Sequence, residues 1–209
     1  MCRGNMQVVE CPHEAKVDPR VKRTRKLIID AFRALMNERP FAEISVADIT
    51  DRATVNRATF YAHFEDKDHL ASSMIKGELE VALLEKLKDC RAVTPENLQM
   101  IGVAVFDFIA GAHLSCPKTG CDLEKTIGGT LREAIYAFVS KWIEMDPAGL
   151  KYFGGSGPDT VATVVAWSFY GGAMNWTKYT KRPTSEAAVR EITKMLVKLE
   201  RPLTTGTVI

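Results

Sequence analysis

The sequence predicts an all-α protein of about nine helices, in which three N-terminal helices precede a larger helical part. Apolar residues recur at helical spacing along most of the 209 residues. No alternating apolar pattern of convincing length predicts a strand, and the sequence contains no internal repeat. Stretches that contain proline or glycine separate the helical segments.

Of the first three expected helices, two are short and the other is ended by a proline. A helix is expected over residues 19–38, because apolar residues recur there and Pro40 stops it. Its buried face is expected to consist of Ile28, Phe32, Leu35 and Met36. Two short helices are expected next, at 45–53 and 56–63.

Longer helices are expected in the remainder of the chain. Asp66 can cap the first of them, which runs from Lys67 to about Lys88. Its expected buried positions include Leu70, Met74, Val81 and Leu84. The others are expected at about 96–113, 122–145, 159–178 and 184–200. The longest expected loop, 146–158, holds four glycines and two prolines.

Residues 45–67 carry the most informative local pattern. Ser45 and Asp48 form an approximate capping box at the start of the first short helix. That helix is expected to bury a stripe made of Val46, Ile49 and Ala53. Phe60 and Phe64 are four residues apart and can dock the second short helix onto the first. The pattern therefore predicts a helix-turn-helix.

The second short helix keeps polar side chains on or near its outer side. They are Asn56, Arg57, Thr59, Tyr61 and His63. Such side chains suit a helix that lies in the major groove of DNA and is braced by phosphates. The net charge of the chain is only +2, but positive charge is concentrated in a basic run before this motif. The basic run consists of Arg20, Lys22, Arg23, Arg25 and Lys26. It favours a docking patch for DNA over a merely solvated helix face.

This stretch resembles the helix-turn-helix of the tetracycline-repressor (TetR) family of transcription regulators. The shared pattern is I-x3-A-x-V-x-R-x-T-F-Y-x-x-F-x-x-K-x-x-L. It is formed by Ile49, Ala53, Val55, Arg57, Thr59, Phe60, Tyr61, Phe64, Lys67 and Leu70. The resemblance covers roughly residues 18–75, and its F-Y-x-x-F-x-x-K-x-x-L extension makes it fairly specific.

Two positions depart from the family pattern. The family generally has alanine where Thr50 stands and glycine where Thr54 stands. If Thr54 adopts a positive φ, its β-branched side chain costs about 1–2 kcal/mol there.

The resemblance implies which residues contact DNA. Base contacts are expected from Asn56, Arg57, Ala58 and Thr59, and phosphate contacts from Ser45, Tyr61, His63 and Lys67. Lys67 lies at a helix start, where backbone amides and a cation together can hold a phosphate. Phe60 and Phe64 are better explained as core, and a solvated surface position is the alternative for His63.

Residues 159–178 are apolar on nearly every side, which predicts burial on every side. One face can meet the rest of the subunit and the other a partner, and Gly171 and Gly172 allow close approach of helices. Together with the helix at 184–200, this segment predicts a four-helix homodimer interface, as the resemblance also implies. The alternative is a single core helix in a monomer.

A pocket for a small-molecule effector is implied by the resemblance alone. The candidate lining residues are Phe106, Phe108, His113, Tyr136, Trp142, Trp167, Tyr170 and Met174. Aromatic walls with a few polar tips suit a mostly apolar ligand. Core packing is the alternative for each of these residues.

The cysteines give no convincing metal site. His113, Cys116 and Cys121 form the only metal-like cluster in the sequence, and the close C-x2-C spacing typical of zinc is absent. Ordinary loop residues are the favoured interpretation over a zinc site or a thiol switch, so we predict no metal and no cofactor. The five cysteines, Cys2, Cys11, Cys90, Cys116 and Cys121, occur without an export signal, which favours reduced thiols and a cytoplasmic location.

The expected organisation is a flexible arm over 1–18, a helix-turn-helix DNA-binding domain over 19–66, and an effector-binding and dimerisation domain over 67–209. No run of 18 apolar residues predicts a membrane span.

The predicted function is a ligand-responsive DNA-binding transcription regulator. We expect a repressor that binds a palindromic operator in double-stranded DNA as a homodimer and is released by a small, mostly apolar effector. The alternative is an effector-free regulator whose C-terminal half only dimerises or recruits a partner protein. An enzyme, or a metal or redox sensor at His113, Cys116 and Cys121, is less favoured, because the sequence contains no G-x-S-x-G or H-E-x-x-H motif.

Overall fold

The computed structural model describes residues 18–88, 92–115 and 120–197, without the side chains of residues 112–127. Over those ranges the chain is all-helical, as predicted, with eight α-helices and two 3-10 helices. The α-helices are α1 (Pro19–Glu38), α2 (Val46–Ala53), α3 (Arg57–His63), α4 (Lys67–Leu87), α5 (Pro95–Ser115), α6 (Gly120–Met145), α7 (Pro158–Thr177) and α8 (Ser185–Val197). The 3-10 helices are Phe41–Glu43 and Pro147–Phe153.

Helix α1 begins and ends where its sequence signals predict. The carboxylate of Asp18 accepts a hydrogen bond from the backbone N–H of Arg20 (2.8 Å), and Pro19 occupies the first helical position. At the other end the N–H of Arg39 donates to the carbonyl of Leu35. The four residues predicted for the buried face, Ile28, Phe32, Leu35 and Met36, are all buried.

Helix α4 buries a different stripe from the predicted one. Leu70 and Met74 are buried as expected, but Val81 and Leu84 are 55% and 61% exposed, so their predicted burial is wrong. The buried stripe instead runs in steps of four through Ala71, Ile75, Leu79, Leu83 and Leu87. Apolar residues occur on several sides of this helix, and spacing alone therefore does not fix which side faces the core.

The C-terminal helices pack closely around α5, which contacts α4, α7 and α8. A methyl group on Gly102 of α5 would lie 2.5 Å from Cγ1 of Val189 and 2.8 Å from the ring of Phe169. A methyl group on Gly172 of α7 would lie 2.6 Å from Cδ1 of Ile192, which confirms that this glycine permits close approach. Gly171, by contrast, is exposed and faces open space.

The segment expected as the longest loop contains the 3-10 helix Pro147–Phe153, which buries Gly149 and Phe153. Asp146 precedes it and accepts a hydrogen bond from the N–H of Val93 through Oδ2 (2.7 Å). Val93, just ahead of α5, is thereby tied to the end of α6. Across the described ranges, none of the helices combines the length and apolar character that crossing a membrane requires.

Candidate nucleic-acid interface

Helix α2 starts with the predicted capping box. Ser45 Oγ accepts from the N–H of Asp48 (3.2 Å), and Asp48 Oδ2 accepts from the N–H of Ser45 (2.8 Å). Arg39 adds an ion pair to the other oxygen of Asp48 at 2.9 Å. The hydrogen bonds from Ser45, followed by the Arg39 guanidinium, hold the pKa of Asp48 well below its usual range. The hydroxyl of Ser45 also donates to Asp48 Oδ2, so a phosphate would have to compete for it.

The turn between α2 and α3 places Thr54 in the left-handed region, with φ 55° and ψ 44°. It is the single non-glycine residue with positive φ in the ranges described above. Thr54 therefore has the positive φ at which a β-branched side chain carries a steric cost. Thr50, the other departure from the family pattern, is 2% exposed and donates its hydroxyl to the carbonyl of Ala47 (2.9 Å). A threonine in place of alanine is thus accommodated without leaving its hydroxyl unpaired.

Helix α3 is held by two buried aromatic rings and by its own N-terminal cap. Phe60 and Phe64 are 0% and 1% exposed, with ring centroids 5.8 Å apart, which confirms their assignment to the core. Asn56 Oδ1 accepts from both the N–H (2.7 Å) and the hydroxyl (2.9 Å) of Thr59. These hydrogen bonds engage polar atoms of Asn56 and Thr59, two of the four residues predicted to contact bases.

The outward face of α3 carries the remaining predicted contacts. Arg57 and Ala58 are exposed, and Tyr61 is 56% exposed with its ring edge-on to Phe60. His63 is half-buried at the last position of the helix. The side chains of Arg57 and Tyr61 therefore project from a short helix whose opposite face is fixed in the core.

Lys67 has a structural contact of its own. Its ammonium donates to the carbonyl of Phe41 (2.9 Å) and lies 4.3 Å from the centroid of the Phe41 ring. These contacts fix the start of α4 to the 3-10 helix ahead of α2. An ammonium has three N–H donors, so a phosphate contact from Lys67 remains compatible with this arrangement.

The basic run is not uniform. Arg20, Lys22, Arg23 and Lys26 are exposed, whereas Arg25 is half-buried. Its Nη1 donates to the carbonyl of His63 (3.2 Å), and its guanidinium carbon lies 4.4 Å from the centroid of the Phe64 ring. Sequence reasoning missed this contact, because nothing local in the sequence links two positions 38 residues apart.

The residues predicted to line an effector pocket fall into separate environments. Phe106, Trp142 and Met174 are buried in the hydrophobic core, and Phe108 and Tyr170 are partly buried beside it. Tyr136 and Trp167 lie at the surface, in an open groove of about 160 Å³ between α6 and α7. The Arg132 guanidinium stacks over the Trp167 ring at 4.1 Å in that groove.

The side chain of His113, also in that predicted set, lies outside the described residues, as do Cys2, Cys11, Cys90, Cys116 and the side chain of Cys121. Among the side chains that the structure does describe, no group of three or more His, Cys, Asp or Glu residues is placed to hold a metal ion.

A capped α2, a left-handed turn and an α3 with an outward polar face form a helix-turn-helix, an arrangement that proteins use to place one helix in the major groove of DNA. Residues 28–74 match the family described as "Bacterial regulatory proteins, tetR family". The part of the chain that holds the helix-turn-helix therefore belongs to this TetR family.

Two curated relatives are similar to parts of the sequence. The HTH-type transcriptional regulator YxbF of Bacillus subtilis is 39% identical over 64 residues, which cover 30% of this chain and 17% of YxbF. The regulator EthR of Mycobacterium tuberculosis is 27% identical over 112 residues, which cover 52% of this chain and 51% of EthR. The match thus spans about half of EthR and less of YxbF.

Solved structures resemble the chain over most of its length. The fatty acid degradation regulator FadR of Bacillus halodurans gives a TM-score of 0.57 at 16% identity, covering 87% of this chain and 96% of FadR. FadR of Bacillus subtilis, in complex with stearoyl-CoA, gives 0.52 at 18% identity, covering 83% and 98%. These likenesses show that the shared fold continues through the C-terminal helices.

Proposed function

We propose that this protein regulates transcription by binding operator DNA as a homodimer, with α3 as the recognition helix in the major groove. The observation that carries the proposal is the two-sided character of α3. Phe60 fixes one side in the core, while Arg57, Ala58 and Tyr61 project outward from the other. A helix held and exposed in this way can place its side chains against base edges.

In the proposed complex, Asn56, Arg57, Ala58 and Thr59 face bases. Ser45, Tyr61, His63 and Lys67 face phosphates. Arg57 is the proposed main reader of bases, because its guanidinium is exposed and can make paired hydrogen bonds to guanine. The oxygen of Asn56 belongs to the helix cap, which leaves its amide N–H groups as the donors for DNA.

The proposed dimer interface is formed by α7 and α8. Val164 and Trp167 of α7 are 40% and 55% exposed in the single chain, and Met195 of α8 is 74% exposed. Exposed large apolar side chains on these two helices support burial against a second copy. Two recognition helices related by a two-fold axis would read half-sites separated by about 34–36 Å.

The proposed regulation is repression that a small, mostly apolar effector relieves by shifting α4. FadR of Bacillus subtilis was solved with stearoyl-CoA, which supports a ligand with a long apolar part for this fold. Binding, rather than catalysis, is the proposed activity, and the proposed location is the cytoplasm.

The decisive experiment is selection of bound sequences from a random pool of duplex DNA. We expect enrichment of a palindrome by the native chain, a changed consensus with Arg57→Ala, and an unchanged one with Lys178→Ala, which alters an exposed cation at the end of α7. Absence of any enriched sequence with the native chain would contradict the proposal.

Sedimentation of the Trp167→Glu variant tests the proposed dimer interface. A dimer that persists unchanged would exclude Trp167 from that interface.

A further inference from the structure

We propose that Arg25 is a positioning residue for the recognition helix α3 and not a phosphate contact. Its sequence neighbourhood suggests the opposite, because it lies in the middle of the basic run. The effect of Arg25 on DNA recognition rests on the proposed function, whereas the contact itself is a property of the free protein.

The contact joins α1 to the C-terminal end of α3. His63 is the last residue of α3, and its carbonyl accepts a hydrogen bond from Arg25 Nη1 at 3.2 Å. Carbonyls in the last turn of a helix lack partners within the helix and carry partial negative charge. The Arg25 guanidinium therefore supplies a donor to the unpaired carbonyl of His63 and also interacts favourably with the helix dipole.

The same guanidinium covers the ring that anchors α3. Its carbon lies 4.4 Å from the centroid of Phe64, the C-terminal cap residue of α3, which is 1% exposed. A planar cation over an aromatic face is attracted by the ring quadrupole. One side chain thus contacts both the last turn of α3 and the buried ring that follows it.

This arrangement separates Arg25 from the other cations of α1. Arg23 and Lys26 are exposed and available to a phosphate, whereas Arg25 is half-buried and directed at its own protein. Asn56 fixes the N-terminal end of α3, and Arg25 fixes the C-terminal end. The direction in which Arg57 and Tyr61 project therefore depends on Arg25.

The first test uses the protein without DNA. Arg25→Met keeps a long side chain against Phe64 but removes the charge and the N–H donors. We expect hydrogen exchange of the amides of residues 60–64 to become about tenfold faster, with the amides of α7 unchanged. Arg25→Lys should give an intermediate rate, because lysine keeps the charge and a donor but not the planar contact. Arg23→Met is the matched control and should leave these rates as they are. Unchanged exchange in Arg25→Met would overturn the proposal whatever the DNA results.

The second test compares the enriched operator with a scrambled duplex over a series of salt concentrations. Arg25→Met should weaken operator binding about tenfold while leaving the scrambled duplex and the salt dependence unchanged. A phosphate contact would instead weaken both duplexes and lower the slope of log K against log salt by about 0.9. That second pattern would overturn the positioning role. If the native chain prefers no sequence, the proposed function fails, and the exchange measurement still decides the role of Arg25.

Discussion

Arg33 of α1 and Glu78 of α4 form a forked hydrogen bond between the helix that carries the basic run and the helix that leads into the C-terminal part. Nε and Nη2 of Arg33 both donate to Glu78 Oε1, at 3.0 and 2.6 Å. This contact, with that from Asp30, raises the pKa of Arg33, which is charged at every physiological pH in any case. The pair connects α1 to α4 at the protein surface.

Glu78→Gln removes one charge from this link. Both side chains are more than one-third exposed, so we expect the free energy of unfolding to fall by only about 0.2–1 kcal/mol. Urea unfolding at low and high salt measures this, and the difference should shrink at high salt because exposed charges are screened. A loss above about 3 kcal/mol would mean that the pair behaves as a buried one.

Acid should weaken the start of α2. The folded pKa of Asp48 is lowered mainly by hydrogen bonds from Ser45, so its contribution to stability is complete above the unfolded pKa, about 4, and is lost as the pH falls below it. We expect Asp48→Asn to reduce stability at pH 7 and to flatten its decline between about pH 4 and pH 2. Unfolding by urea across this range is the measurement. Asp51→Asn, which changes an exposed carboxylate later in α2, is the control. An equally steep decline in Asp48→Asn would contradict the assignment.

Thr54→Gly should stabilise the protein. Thr54 has φ 55°, a conformation that glycine adopts without steric cost. The relief of about 1–2 kcal/mol is partly offset by the greater freedom of glycine in the unfolded chain, so we expect a net gain of up to about 1 kcal/mol. Thr54→Ala keeps Cβ and should gain less. A lower melting temperature for Thr54→Gly than for the native chain would contradict this reasoning.

Two substitutions on α3 should have different effects on DNA binding. Tyr61→Phe removes an exposed hydroxyl and should weaken binding to all duplexes similarly, by roughly three- to tenfold. Arg57→Ala should change which bases are preferred, at a cost of about 1–3 kcal/mol for the native operator. Binding titrations on operators with single base changes distinguish the two. If Arg57→Ala left base preference intact, Arg57 would have to be reassigned to the DNA backbone.

Gly102→Ala should destabilise the C-terminal helices. The added methyl would lie 2.5 Å from Val189 and 2.8 Å from Phe169, so α5 would have to move away from α7 or α8. We expect a loss of about 1–3 kcal/mol by thermal or urea unfolding. Gly77→Ala is the control, because that glycine lies within α4 and faces open space. It should gain about 0.5–1 kcal/mol from helix propensity, and a similar gain at Gly102 would show that the packing there is loose.

Short sequence patterns predicted the helix-turn-helix more accurately than they predicted the buried sides of the long helices. The capping box of Ser45 and the i, i+4 pair of Phe60 and Phe64 are contained in a few residues, and both are confirmed. The buried side of α4 was predicted incorrectly at Val81 and Leu84, because a helix with apolar residues on several sides takes its orientation from its neighbours.

Contacts between distant parts of the chain were beyond sequence reasoning. Lys67 reaches the carbonyl of Phe41, and Arg25 reaches that of His63, across 26 and 38 residues. Both are cations that were expected to contact DNA, Arg25 because it lies in the basic run and Lys67 because of the family resemblance. A sequence shows which residues are charged. It does not show how the helices pack against one another, and that packing decides which group each charged side chain contacts.

The cap on α3 has a consequence for the kind of operator that the proposed complex would contain. Since Asn56 Oδ1 and the Thr59 hydroxyl are bonded to each other, few free hydrogen-bonding groups other than the Arg57 guanidinium would face the bases in that complex. The exposed residues of α3 include Ala58, whose methyl group can contact the methyl group of thymine. We therefore expect half-sites defined by one guanine and neighbouring thymines, with the other positions discriminated by how easily the duplex deforms.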